Sequence, residues 1–136
     1  MRLLMIYADR FAYRTALKTV DSVPDRDEQR EFTDVLVGFI HLERADEDDP
    51  GGVETKLVKN LKWAARKNGT RRILLHSFAH LAETKASPEL ARQVLAGAQR
   101  RLAGAGYQAD QTPFGYFLDL TLVAPGRPSA RIFKAL

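Results

Sequence analysis

The chain has 136 residues, 45% hydrophobic and 28% charged, which suits one folded domain over residues 1–136 and excludes wholesale disorder. The absence of cysteine excludes disulfides, thiolate metal sites and thiol nucleophiles. A formal net charge of +4 permits a polyanionic partner without requiring one.

The apolar run in MRLLMIYADR stops at Asp9, too short for a secretory signal, and no other run is long enough to span a bilayer. Together with the lack of cysteine, this gives the expectation of a cytoplasmic protein with no membrane partner. Residues 2–7 read as a first strand. Residues 11–17 alternate, with Phe11, Tyr13, Thr15 and Leu17 on one face, and read as its hairpin partner. Residues 21–31, polar and holding Pro24, read as a mobile surface loop. DVLVGFIHLE (34–43) is a long strand, with Gly38 a bulge or a point of close approach.

ADEDDPGG reads as a connector. It has the composition of a calcium loop but not the ligand spacing, since Leu57 stands where the terminal glutamate is needed. Residues 53–68 then follow helical period. Val53, Leu57, Val58, Leu61, Ala64 and Ala65 form a stripe roughly 140° wide at ~100° per residue. The face across from it is basic: Trp63 stands among Lys56, Lys59, Arg66 and Lys67, an arrangement that fits either RNA contact or a solvated surface. RRILLHSF is the next strand. Ser87 caps a second helix with Pro88 at its first position. Leu90, Val94, Ala98 and Leu102 form its buried face, and Gly104 or Gly106 ends it. The remainder reads as two terminal strands paired around the APG turn at 124–126. Many strands with two principal helices predict an α+β domain with a mainly antiparallel sheet.

Two stretches carry candidate chemistry. In HSFAH (76–80) two histidines lie four apart. On a helix that spacing makes a zinc pair, but His76 ends a strand-like run, and a third ligand could come only from His41 or a distant carboxylate. Ser77 lacks the G-x-S-x-G elbow of a serine hydrolase. The remaining reading makes His76 a strand residue and His80 an anchor of the following turn. The second stretch, TPFGYF (112–117), puts proline, glycine and three aromatics in six residues, and offers close backbone approach and flat rings to a ligand. Core packing also explains Phe114 and Phe117.

SFAHL (77–81), PFGY (113–116), the opening MRLLMIYAD and the intervening VLVGFIHLE together resemble the archaeal-type N-terminal editing domain of threonyl-tRNA synthetase, in the same order and over essentially the whole chain. The resemblance implies a D-aminoacyl-tRNA deacylase-like fold, a homodimer, and hydrolysis of serine from mischarged threonine tRNA, with no cofactor and no metal. The catalytic portion of the synthetase is then a further partner, in cis or in trans. It also implies a pocket histidine at His80, walls from Leu42, Ser77 and Phe78, and an embrace of substrate and terminal adenosine by Phe114, Gly115, Tyr116 and Phe117. The tRNA would then meet Lys56, Lys59, Trp63 and Arg66. Two departures stand out. Relatives continue PFGY with tyrosine and lysine where this chain has Phe117 and Leu118, and they carry a glutamate where it has Arg131. Either Arg131 restores a charge to the site, or backbone N–H groups and the RNA's 2′-hydroxyl orient the water. Two alternatives follow from the same residues: a D-aminoacyl-tRNA deacylase, and a non-catalytic tRNA-binding or dimerisation module.

Overall fold

In the computed structural model, which describes residues 1–136, Arg2–Lys18 form one continuous strand, β1, rather than a two-strand hairpin. What resembled a turn at Asp9 is a change of facing. Leu3, Met5 and Tyr7 join one core cluster, whereas Phe11 and Tyr13, at the same parity, join the other. The shift is matched on β2 (Gln29–His41), where Asp34, with a left-handed φ of 51°, interrupts the pairing between Ala8↔Val35 and Arg10↔Thr33. Residues 29–31, expected in a loop, belong to this strand, which also takes in Phe32 and Thr33. The polar side chains of residues 29–31 lie along its exposed end, where Arg10 and Glu31 pair at 2.7 Å.

The connector after β2 is a short 3₁₀ turn, Arg44–Asp48. The amine of Met1 is gripped there by Glu43 at 3.1 Å and Asp46 at 3.0 Å. Helix α1 runs from Pro50 to Lys67, three residues earlier than the apolar period alone implies, because Asp49 caps it by accepting from the Gly52 amide. All six residues of the predicted stripe are buried. Strand β3 (Arg72–Ser77) lies parallel to β2, and helix α2 (Pro88–Gly104) starts at the Ser87 cap, as expected. Both helices pack on one side of the sheet in a shared cluster with Leu3, Met5, Leu36, Ile40, Ile73 and Leu75.

Strand β4 (Gln108–Gln111) is parallel to β3, so the sheet is mixed. Strands β5 (Tyr116–Val123) and β6 (Arg131–Ala135) do not pair with one another around the APG turn. Both pair antiparallel with the flank of β1 opposite β2, β5 along residues 10–18 and β6 along residues 2–6. At 17 residues β1 is long enough to template both in tandem, and Pro125, lacking an amide hydrogen, interrupts the ladder between them.

Gly38 is a point of close approach. It keeps regular register with Met5 and Leu75, and a Cβ there would stand 2.9 Å from Cδ2 of the fully buried Leu61. Gly38→Ala is therefore expected to lower stability by about 1–3 kcal/mol by overpacking, although alanine favours the extended backbone more than glycine does. The urea-unfolding midpoint measures this, and an unchanged or raised midpoint contradicts the packing.

Candidate active site

The parallel strands β2 and β3 both point their carboxyl ends toward one region, the place where chains in open sheets diverge and leave a crevice. A cavity of about 380 Å³ lies there, lined on one side by Ile40, Leu42, His76, Ser77, Phe78, Ala79 and His80. Its other walls are Phe114, Gly115, Tyr116, Phe117, Leu118 and Leu120 from the stretch leading into β5, and Pro88, Ala91 and Leu95 from α2. The two motifs far apart in sequence thus converge. The His80 and Phe117 rings stack at 5.8 Å with an interplanar angle of 21°.

Residues 78–86 have no regular secondary structure, yet their backbone is held firmly. His41 does most of this. Its Nε2 lies 2.7 Å from the Thr84 carbonyl oxygen, which can only accept, so Nδ1 is free to accept the Leu81 amide at 2.9 Å. The Phe78 amide donates to Ile40 O and the Ala86 amide to Leu42 O. A three-residue turn closes between them, with the His80 amide donating to Phe78 O at 3.0 Å. Ala79 sits at its apex, and its amide has no acceptor in the chain.

The facing wall is fixed by a second set of bonds. Gly115 adopts φ 82°, and a Cβ there would meet Val20 at 3.0 Å and Val23 at 3.1 Å. Glycine is required on both counts. The Tyr116 hydroxyl donates to Pro24 O at 2.5 Å and accepts from the Arg26 amide at 2.8 Å. Thr19 N donates to Gly115 O at 2.7 Å, and Lys18 pairs with Asp25 at 2.6 Å. Residues 21–31, expected to be a mobile loop, are instead tethered to the PFGY turn through Pro24 and Arg26, and Thr19 and Val20 just before them line the cavity. The Gly115 amide, like that of Ala79, donates to nothing within the chain.

His76 is buried, and its Nδ1 lies 2.9 Å from Thr112 Oγ1. Burial, and secondarily the proximity of His80, pushes its imidazole down from 6.5 to about 4. No three histidine, aspartate or glutamate side chains are arrayed as a metal-binding group.

Of the residues singled out from sequence, Leu42, Ser77, Phe78, His80, Phe114, Gly115, Tyr116 and Phe117 all line the cavity. Arg131 does not: it pairs with Ile6 in the sheet, and its Nη2 donates to Pro125 O at 2.7 Å, so it brings no charge to this chain's cavity. Lys56, Lys59, Trp63 and Arg66 lie on α1, which contributes no residue to the lining. There the Trp63 ring has the ammonium of Lys134 at 5.0 Å and that of Lys67 at 5.7 Å. The sequence reading missed His41 as a brace, Lys85 as a lining residue and the contribution of residues 19–20. A polar loop followed by an aromatic–glycine turn carries no signal that the two will meet.

His76 makes stability depend on pH. An unfolded imidazole titrates near 6.5 and this one near 4, so between those values the unfolded state binds more protons and stability falls as pH drops. The loss approaches ~3 kcal/mol once pH is below both values. Urea midpoints at pH 7, 5.5 and 4.5 are expected to decline more steeply for the wild type than for His76→Gln. Parallel slopes contradict a buried neutral His76.

The family described as the archaea-specific editing domain of threonyl-tRNA synthetase matches residues 1–136. Threonine–tRNA ligases of Thermococcus kodakarensis and Methanobrevibacter smithii are 32% and 30% identical to this chain over its whole length, which spans 22% and 23% of theirs. A solved chain titled c-Myc DNA Unwinding Element Binding Protein superimposes with a TM-score of 0.72, covering 100% of this chain and 99% of its own at 11% identity, which establishes a shared α+β fold. With the family matched from the first residue to the last, this chain belongs to the archaea-specific editing domains of threonyl-tRNA synthetase.

Proposed function

We propose that the chain is a proofreading hydrolase that removes L-serine from mischarged threonine tRNA, with the cavity at the ends of β2 and β3 receiving the aminoacylated terminal adenosine. The demand is physical. Serine and threonine differ by one methyl, and a single-site difference of that size yields only ~1–3 kcal/mol of discrimination. A second site too small for threonine supplies the rest.

The observation that carries this reading is the convergence of residues 77–80 and 114–117 on one largely apolar cavity, with the Ala79 and Gly115 amides left without acceptors. Water adds to the ester carbonyl carbon, the carbonyl oxygen takes up negative charge, and the ribose hydroxyl leaves with a proton. Fixed N–H donors aimed at that oxygen are worth ~3–4 kcal/mol each. With Leu118 in place of the relatives' lysine and Arg131 outside the cavity, we assign water orientation to backbone donors and the RNA's 2′-hydroxyl. His80 shapes the wall and stacks on Phe117.

The same reading places tRNA on the basic face of α1, through Lys56, Lys59, Trp63 and Arg66. It also places a second copy of the chain against the free flank of β5, where Leu120, Leu122 and Val123 are exposed. The site of action is cytoplasmic, in cis or in trans with the threonyl-tRNA synthetase catalytic domain.

L-seryl-, L-threonyl- and D-aminoacyl-tRNA, incubated side by side, are the direct test. Release of L-serine alone supports the reading. Survival of L-seryl-tRNA with loss of the D-aminoacyl ester makes the chain a D-aminoacyl-tRNA deacylase, and binding without release makes it a non-catalytic module. His80→Ala is expected to retain near-full activity, whereas a drop of several hundredfold assigns the imidazole to the chemistry. For the α1 face, each lysine removed is expected to lower the slope of log affinity against log salt by about one.

A further inference from the structure

Lys85 is the only lysine or arginine among the residues lining the cavity, and it pairs with no carboxylate and donates to no acceptor in the chain. Lys18, on the strand beside the cavity, is by contrast neutralised by Asp25 at 2.6 Å. The backbone around Lys85 is pinned on both sides, since Thr84 O accepts from His41 and the Ala86 amide donates to Leu42 O. A second cation flanks the same mouth. The Arg92 guanidinium, on α2, lies 5.5 Å from the centre of the Phe114 ring and donates to Ser22 Oγ at 3.2 Å, again with no carboxylate partner. The acidic residues flanking this region in sequence, Glu83 and Glu89, are exposed and do not line the cavity.

An aminoacyl ester gives these cations little to hold. Its α-ammonium is positive and is repelled by a lysine, and its carbonyl is neutral before attack. The nearest formal negative charge on the substrate is the phosphodiester at the 5′ position of the same terminal adenosine. Resting on the function proposed above, we propose that Lys85 is a phosphate subsite that holds this phosphodiester on the α2 side of the mouth, with Arg92, over the Phe114 ring, adding to the positive charge there. The substrate is thereby oriented, with its 5′ side toward α2 and its ester toward Ala79 and Gly115. Lys85 is on this account a binding and positioning residue.

Adenosine and adenosine 5′-monophosphate serve as probes that need no hydrolysis. Calorimetric titration is expected to show about tenfold tighter binding of the monophosphate to the wild type, the contribution of one charge-assisted contact. Lys85→Ala is expected to bring the two ligands within about twofold of one another without weakening adenosine, and Lys85→Arg to keep most of the preference. In deacylation of seryl-tRNA, Lys85→Ala is expected to raise KM at least about fivefold with kcat nearly unchanged. Equal binding of the two probes to the wild type, or a preference that survives in Lys85→Ala, overturns the phosphate subsite and leaves the deacylase reading standing. A fall in kcat at constant KM also overturns it, by moving Lys85 to the reacting ester. Failure of the wild type to bind either probe overturns the subsite and the adenosine pocket together.

Discussion

The site depends on one buried imidazole. His41 has no exposed surface, and both of its ring nitrogens are used, one donating to Thr84 and the other accepting from Leu81. A nine-residue segment with no secondary structure of its own is in this way fastened to the end of β2. These two part-buried bonds hold the segment's shape without a ladder or a helix to define it. The γ-turn at Ala79 and the position of Lys85 both inherit their geometry from this brace. On the facing wall the Tyr116 hydroxyl does the equivalent, tying the segment around Pro24 and Arg26 to the PFGY turn. Two walls, each fixed by a ring that hydrogen-bonds backbone, give a cleft whose donors are set before any ligand enters. That is the condition under which backbone amides stabilise a developing charge without reorganising.

The sheet serves this arrangement through β1. Its 17 residues template β2 on one flank and β5 and β6 in tandem on the other, which brings the residues following β3 and those preceding β5 to the same end of the molecule. The helices sit together on one face and leave the crevice at the ends of the parallel strands open. α2 closes one side of it with Pro88, Ala91 and Leu95.

Periodicity made the helices legible: the six-residue stripe of α1 and the Ser87–Pro88 start of α2 need only local rules. The strands were legible as segments but not as partners. Alternation broke at Asp9 in a way that a hairpin and a facing shift share, and only the left-handed Asp34 on the opposite strand distinguishes them. The APG turn has hairpin composition, but the length of β1 decides against a local pairing. For the site, SFAHL and PFGY were visible because their residue types are unusual at that density. His41, Lys85 and Thr19 were not, because an isolated histidine in an apolar strand, a lysine in a polar loop and a threonine after a strand are each ordinary. Their meaning lies in contacts 40 or more residues away in sequence, such as that between His41 and Thr84. Arg131 was placed near the site by alignment with relatives, and the sheet register puts it beside Ile6 instead.

In the function proposed above, backbone amides of a pre-formed cleft, and not the His80 imidazole that lines it, arrange the chemistry. The most direct measurement is an amide NMR titration with a hydrolysis-resistant seryl-adenosine in which an amide replaces the ester. The Ala79 and Gly115 resonances are expected to shift most and to slow in exchange with solvent, while those of α1 stay unmoved. Perturbation concentrated on α1, or an Ala79 amide indifferent to the bound analogue, would contradict that role for the amides.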